Sequence, residues 1–184
     1  ETRVDNYAEW ARRGGWSSSS GRGWANLSNA PFRMYKRYTH EGGVATPLIV
    51  HWPDEVKARG ELRHAPGHLI DIAPTCLAVA GLPAEGMEGT SLLPVFAGDR
   101  KQDRTLFWEH EGNRAVRRGN YKLVAIHDTP WELYDMGRDR SELNDLSSAM
   151  PGKVKELQRA YEAWARRVGA KPWNEVNVKK KKKK

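Results

Sequence analysis

The sequence has 184 residues, of which 31 are Lys or Arg and 23 are Asp or Glu, giving a formal net charge of +8. It contains no run of 18 apolar residues, so no membrane-spanning helix and no membrane partner are predicted. Its single cysteine excludes an internal disulfide bond and a cysteine-based zinc site. The lysines of residues 179–184 supply most of the excess charge, because without them the balance is 25 against 23. We therefore expect the folded body not to bind nucleic acid, which leaves such binding to the lysine tail alone.

The first hundred residues predict a loop, a strand and a helix. Gly and Ser dominate residues 11–31, as is typical of a surface loop. The apolar run in residues 44–52 predicts a strand buried on both faces. Residues 69–80 predict a helix, with Asp71 as its cap and Gly81 at its end. Its expected core side chains are Leu69, Ile72, Cys76, Leu77 and Ala80.

The next part of the chain predicts an antiparallel sheet and a helix. Four short strand candidates begin at Thr105, Ala115, Tyr121 and Trp131, with turn signals at Gly112-Asn113 and Gly119-Asn120 between them. A helix is then predicted from Pro151 to Gly169, with one apolar face that packs on the sheet. That face consists of Val154, Leu157, Tyr161, Trp164 and Val168.

These elements predict three parts of the chain. Residues 1–100 form part of an α/β layered domain, because a strand, a loop and a helix follow one another. Residues 101–175 form a small subdomain of about four antiparallel strands and one helix. Residues 176–184 are expected to be disordered, since six adjacent like charges repel one another.

The densest group of chemically active side chains lies in residues 28–47. Arg33, Lys36, Arg37 and His40 fall within eight residues, and Gly42-Gly43 allows a tight backbone turn after them. A lysine ammonium is a compact charge with three donors, and it suits a sulfate or phosphate oxygen. From the residues alone, an anion site and a basic loop neutralised by Glu41 remain equally open. His64 and His68 are four residues apart, but no glutamate accompanies them in the pattern of a helical zinc site.

Several stretches in this order resemble the C-terminal part of the arylsulfatases, members of the sulfatase family with an alkaline-phosphatase-like fold. They are residues 23–33, 35–43, 46–53, 68–75, 89–92, 106–117 and 131–136. The resemblance runs from about Asp5 to Trp173, nearly the whole chain. It implies that residues 1–100 are the C-terminal edge of an alkaline-phosphatase-like α/β sandwich, followed by the small α+β subdomain.

The resemblance implies hydrolysis of sulfate monoesters with Ca²⁺ as cofactor. In this family a formylglycine made from a C/S-x-P-S/T-R motif supplies the nucleophile, and no such motif occurs here. We therefore expect formylglycine only in a preceding N-terminal half, which is the expected partner of this chain. The isolated chain is predicted to have no turnover.

Only a few site residues carry over from the family. Lys36, before the Glu-Gly-Gly turn, matches the lysine that contacts the sulfate, so it is the candidate catalytic residue. Lys36 and His40 are the candidate substrate-binding residues. Asp5 and Asn6 match the pair that completes the calcium site, although Tyr7 replaces the usual glycine.

Two other functions remain open at this point. The chain is alternatively a non-catalytic sulfatase-like remnant or an anion-binding module without turnover, or it is a basic nucleic-acid binder that acts through its tail. The compartment is not determined, and the periplasm and the cytoplasm of a bacterium are both compatible with the sequence.

Overall fold

The computed structural model describes residues 21–57, 59–98 and 104–177. Asp5, Asn6 and the lysine tail therefore lie outside the described residues. So does the predicted boundary at residues 98–101, apart from Gly98, and the division at residue 100 stays a prediction. No helix within the described ranges has the length and apolar character needed to cross a membrane.

The first part of the chain consists of short helices joined by long irregular segments. In chain order these are α1 (Gly21–Ser28), α2 (Glu41–Val44), a 3-10 helix (Leu69–Asp71), α3 (Ile72–Val79) and α4 (Leu93–Ala97). The prediction of a loop is wrong for residues 21–28. There Asn26 and Ser28 donate side-chain hydrogen bonds to carbonyls four residues earlier, at 3.0 and 2.8 Å, so residue types common in loops support a helix.

The buried strand predicted for residues 44–52 is not formed with any described part of the chain. Residues 45–52 have no regular secondary structure and pair with no neighbouring strand in the described ranges. The side chain of Ile49 is 90% exposed. Because a strand needs a hydrogen-bonded neighbour, an apolar run alone does not produce one.

The helix predicted near residue 72 is confirmed, but its orientation is not. Ile72 and Cys76 are exposed, and the buried residues of α3 are Pro74 and Thr75. The prediction that Cys76 belongs to the core is therefore wrong. The helix ends as predicted at Gly81, whose φ is +70°.

Asp71 fixes the start of α3 through its carboxylate rather than through a cap on the helix itself. The carboxylate accepts hydrogen bonds from the backbone of His68 at 2.7 Å and of Thr90 at 3.0 Å, and it pairs with Arg104. Burial opposes ionisation of this group, yet the hydrogen bonds from Arg104 and from these two amides lower the pKa of Asp71. Arg104 immediately precedes the sheet, so this pair connects α3 to it.

The predicted antiparallel sheet is confirmed. Its strands are β1 (Thr105–His110), β2 (Asn113–Arg118), β3 (Tyr121–Ala125) and β4 (Glu132–Asp135), in the order β1-β2-β3-β4. The first turn is Glu111-Gly112, one residue earlier than the sequence indicates. Both residues have positive φ, 52° and 81°, as a tight hairpin turn requires.

Helix α5 (Pro151–Val168) covers one face of the sheet, which we call the helix face. Val116, Leu123 and Leu133 lie side by side on this face and pack against Leu157 and Tyr161 of the helix. The predicted apolar stripe of α5 is confirmed, except that Val168 is largely exposed. Gly169 ends the helix with a φ of +70°, and the short helix α6 (Trp173–Val176) follows.

The opposite face of the sheet, which we call the loop face, carries polar residues. Register places Lys122 beside Tyr134 and Val124 beside Glu132, so alternate residues of β3 and β4 point to this side. Lys122 is fully buried and Tyr134 nearly so. The loop face therefore needs polar partners from elsewhere in the chain.

Candidate functional site

The basic segment supplies those partners as a loop, residues 33–40, which we call the Lys36 loop. Lys36 lies in a turn with its side chain exposed, and within the described ranges it makes no hydrogen bond or ion pair. Met34 and Arg37 on either side of it have φ of +66° and +96°. Because this conformation is unfavourable for residues with side chains, surrounding contacts must hold the loop in place.

The first anchor of the loop is the carboxylate of Glu132 on β4. Its Oε2 accepts hydrogen bonds from Arg33 Nη1 at 3.0 Å, from His40 Nε2 at 3.1 Å and from Tyr134 Oη at 2.9 Å. Arg33 and His40 are the two ends of the Lys36 loop. One carboxylate oxygen of the sheet therefore holds both ends.

The hydrogen bond from His40, supported by those from Tyr134 and Arg33, lowers the pKa of Glu132 to about 2. Glu132 is therefore ionised at neutral pH, and an ionised carboxylate only accepts hydrogen bonds. His40 must then carry its proton on Nε2. Burial and the neighbouring carboxylate raise the pKa of Tyr134, so its hydroxyl remains a donor.

The second anchor is a buried ion-pair network immediately after the loop. Lys122 Nζ lies 3.0 Å from Glu41 Oε1 and 2.8 Å from Glu142 Oε1, and Arg140 Nη2 lies 3.2 Å from Glu41 Oε2. The other oxygen of Glu142 accepts the backbone N–H of Glu41 at 2.8 Å. Burial alone would raise the pKa of Glu41, but Lys122 and Arg140 outweigh it and lower that pKa.

Gly42 and Gly43 allow the loop to close on itself. A Cβ added at Gly42 would lie 2.1 Å from the carbonyl oxygen of Met34, and one at Gly43 would lie 1.9 Å from that of Tyr38. Only glycine fits such close backbone approaches. These residues are therefore needed for contact with the Lys36 loop, and not for the turn into a strand that the sequence predicts.

The β1–β2 hairpin supports the loop from a third side. Asn113 Nδ2 donates to the carbonyl oxygen of Arg37 at 3.2 Å, and the Arg37 guanidinium pairs with Glu111 at 2.5 Å. A cleft of about 330 Å³ lies between this part of the loop and the edge strand β1. Its lining includes Tyr38, Trp108 and His110.

The structure gives Lys36 and His40 different surroundings. Lys36 faces solvent, whereas His40 is fully buried and contacts Glu132. The predicted substrate contact of His40 stays a prediction, although its present partner is the sheet. Asp5 and Asn6 lie outside the described residues. Within the described ranges, no group of three or more His, Cys, Asp or Glu residues is placed to hold a metal ion.

Sequence reasoning missed Glu132, Lys122 and Glu142, the residues that anchor the loop. One signal was available, because Lys122 and Glu132 occur inside strand-like runs, each next to an apolar residue of the opposite face. Alternation of this kind normally indicates a strand with one solvated face. The sequence does not reveal that a charged loop, rather than water, covers that face.

Comparison with known proteins places the Lys36 loop, its two anchors and the sheet within one protein family. The family described as "N-sulphoglucosamine sulphohydrolase, C-terminal" matches residues 32–163, which include the Lys36 loop, both anchors and the sheet. Human N-acetylgalactosamine-6-sulfatase is 39% identical over 118 residues, 61% of this chain and 22% of that protein. An N-acetylglucosamine-6-O-sulfatase of Bacteroides thetaiotaomicron is 30% identical over 145 residues, 69% of this chain and 26% of that protein.

A solved structure shares the fold as well. The crystal structure of Ps i-CgsB in complex with k-i-k-neocarrahexaose has a TM-score of 0.68 and 28% identity, and the match covers 76% of this chain and 34% of that one. The chain spans about a quarter of the length of the curated relatives that it matches. It therefore belongs to the sulfatase family, as a C-terminal part of the alkaline-phosphatase-like α/β fold.

Proposed function

We propose that this chain is the C-terminal part of a sulfatase that hydrolyses sulfate monoesters together with a preceding N-terminal half. Lys36 is the residue of this chain that contacts the sulfate. The observation that carries the proposal is the state of Lys36, which is exposed and unpaired within the described ranges although its loop is held by buried charges on both sides. An unpaired ammonium on an anchored loop is ready to receive an anion.

The distribution of apolar side chains supports a missing partner. Of the fifteen large apolar residues exposed in the described ranges, twelve precede residue 100, among them Leu48, Ile49 and Leu69. Of the thirteen buried hydrophobic residues, only Leu92 and Val95 precede it. Residues 21–98, as far as the structure describes them, have almost no core of their own, so they need another surface to cover them. In our proposal the preceding half provides that surface, and the division near residue 100 separates the shared domain from the self-contained sheet and helix.

The mechanism assigns one task to Lys36. Negative charge grows on the sulfate oxygens and the leaving oxygen as the sulfur–oxygen bond breaks, and a fixed ammonium stabilises that charge. The family resemblance places formylglycine and most ligands of Ca²⁺ in the preceding half, where they supply the nucleophile and neutralise the sulfate. Within this chain, Arg33, His40 and Glu41 hold the loop and leave the Lys36 side chain free.

Two classes of ester are candidates for the substrate. The sequence resemblance points to aryl sulfates. Sulfated sugars are favoured by the names of the two enzyme relatives and by the oligosaccharide in the Ps i-CgsB complex. Initial rates on 4-nitrophenyl sulfate and on N-acetylglucosamine-6-sulfate, measured with the complete enzyme, decide between them.

Lys36→Ala tests the proposal in the sulfatase that contains this chain. We expect kcat to fall by about 10²–10³-fold, as for the loss of one donor to the transition state. Lys171→Ala removes another exposed lysine and serves as the control. Unchanged kinetics after Lys36→Ala would remove Lys36 from the site, and appreciable turnover by the isolated chain would contradict its dependence on the preceding half. A C/S-x-P-S/T-R motif encoded before Glu1 would favour the hypothesis of a catalytic sulfatase over that of a non-catalytic remnant.

A further inference from the structure

We propose that Glu132 is a positioning residue for Lys36, acting through the two ends of the Lys36 loop. The inference rests on the proposed function, since it assumes that Lys36 contacts the sulfate. It goes further in assigning a role in turnover to the small sheet, through a residue that does not reach the substrate itself.

The geometry singles out Glu132 among the residues of the sheet. A single oxygen, Oε2, receives Arg33 from the start of the loop and His40 from its end, at 3.0 and 3.1 Å. These residues lie three positions before and four positions after Lys36. Because both ends meet at one atom, the loop between them is closed like a ring, and a change at Glu132 shifts both ends together.

Tyr134 connects the two sides of this closure, since its hydroxyl contacts both Glu132 and Arg33. Its hydroxyl donates to Glu132 Oε2 at 2.9 Å and accepts from Arg33 Nη1 at 2.7 Å. The same nitrogen of Arg33 also reaches the carbonyl oxygen of Glu142 at 3.3 Å. Both Glu132 and Tyr134 point from β4 to the loop face, so their spacing is set by the strand and not by the loop.

The β1–β2 hairpin and the Lys122 network also support the loop, whereas Glu132 contacts both of its ends through one oxygen. Met34 and Arg37 adopt left-handed backbone conformations, and Lys36 makes no contact of its own with hydrogen-bonding groups in the described ranges. Charge-assisted hydrogen bonds to one carboxylate are strong and specific in direction. They reduce the number of positions that the Lys36 ammonium can occupy, and a catalytic group misplaced by about 1 Å can lose about 10²-fold in rate.

A purely structural role for Glu132 makes a different prediction from a positioning role. If Glu132 is only structural, its replacement lowers the amount of folded enzyme. The fractional loss of activity is then the same whether or not Lys36 is present. A positioning residue acts only through Lys36, so its effect on kcat disappears when Lys36 is absent. A double-mutant cycle separates the two cases.

The experiment uses the sulfatase that contains this chain, with 4-nitrophenyl sulfate or, if only this is hydrolysed, N-acetylglucosamine-6-sulfate as substrate. Four forms are compared: the unaltered enzyme, Glu132→Gln, Lys36→Ala and the double variant. We expect Glu132→Gln to lower kcat by about 10–100-fold with KM changed less than threefold, and to cause less than a twofold further loss once Lys36 is Ala. Glu156→Gln, an exposed carboxylate paired with Arg118 and Lys153, is the matched control.

Tyr134→Phe keeps the test decisive if Glu132→Gln does not fold. It retains the ring and removes one of the three hydrogen bonds to Glu132, and we expect a three- to tenfold loss of kcat that also vanishes with Lys36→Ala. If the losses multiply independently, or if neither variant lowers kcat, the positioning role is refuted while the proposed function stands. If Lys36→Ala itself has no effect, the proposed function fails first.

Discussion

Replacement of Lys122 by methionine should destabilise the chain severely, because it removes the cation from a buried cluster and leaves its carboxylates behind. Lys122 is fully buried, and its Nζ contacts Glu41 at 3.0 Å and Glu142 at 2.8 Å. Removing one partner of a buried ion pair costs about 3–5 kcal/mol. We expect the lower end of this range, about 3 kcal/mol, since Glu41 retains Arg140 and Glu142 retains a backbone N–H.

Urea unfolding of the 184-residue chain, followed by far-UV circular dichroism, measures this loss. Domains of this size are stable by only about 5–15 kcal/mol, so a loss of 3 kcal/mol moves the midpoint clearly. Lys155→Met, at an exposed position of α5, is the matched control and should change the free energy of unfolding by less than about 0.5 kcal/mol.

The pH dependence identifies the cause of the loss. Lys122 is the main group that lowers the pKa of Glu41 below its ordinary value of 4.5, so the pair stabilises the fold above that pH and ceases to do so as the pH falls below it. Without Lys122, only Arg140 opposes the effect of burial, so the pKa of Glu41 lies higher than in the unaltered protein and the carboxyl becomes neutral at a higher pH. The difference between the two proteins should therefore shrink as the pH falls from 7 to about 4. A loss below about 1 kcal/mol at pH 7, or one that does not change with pH, would refute the account of a buried, charged cluster.

Three further substitutions test the packing around the site and the missing surface. Trp164→Ala, which removes a half-buried ring stacked on the sheet, should cost about 2–3 kcal/mol in urea unfolding; an unchanged midpoint would mean that α5 does not pack there. Gly43→Ala should cost about 1–3 kcal/mol because its Cβ meets the Tyr38 carbonyl, whereas Gly23→Ala, with open space around it, should not destabilise. Ile49→Lys should leave the unfolding free energy of this chain within about 0.5 kcal/mol but prevent its co-purification with the preceding half when the two halves are produced as separate chains. Retained co-purification would place the shared surface elsewhere.

The sheet and α5 were predictable because the sequence of each contains a local pattern that is typical of its structure. Short strand-like runs with two Gly-Asn turn signals predicted the four strands, and a stripe from Val154 to Trp164 predicted the helix that covers them. The apolar faces that the two patterns predict pack on each other within residues 105–168, so the local sequence pattern and the tertiary packing agree there. The error of one residue at the first turn arose because both Glu111 and Gly112 adopt positive φ, which sequence indicates only for glycine.

Residues 44–52 and 69–80 could not be placed from sequence for the opposite reason. Their apolar residues predict burial, yet Ile49 and Leu69 are 90% and 83% exposed. An apolar pattern indicates that a surface is to be covered, but it does not tell which part of the protein covers it. Within the described ranges the inner side of α3 is instead set by Asp71 and Thr75, which hydrogen-bond to neighbouring segments. In our proposal the exposed side belongs to the interface with the preceding half.

The candidate site was predictable in its charge but not in its support. Lys36 stands out through the basic cluster and the two glycines that follow, whereas Glu132 lies almost a hundred residues away, in a strand with an ordinary alternating pattern. Contacts at such a separation depend on the register of the sheet, and a slip of one residue would turn Glu132 to the helix face. No local pattern specifies that register.

The use of charges to dock the Lys36 loop has a consequence that apolar packing would not have. A buried ion pair adds little net stability compared with apolar side chains of similar size, but it accepts only one arrangement of its partners. On the loop face, Glu132 and Lys122 present opposite charges on adjacent strands, so Arg33 and Glu41 can each dock at only one of them. A shift that put Glu41 in the place of His40 would bring its carboxylate against that of Glu132. In our proposal the sheet thus determines the register of the Lys36 loop, and with it the point from which the Lys36 side chain reaches the substrate, at a site where position matters more than added stability.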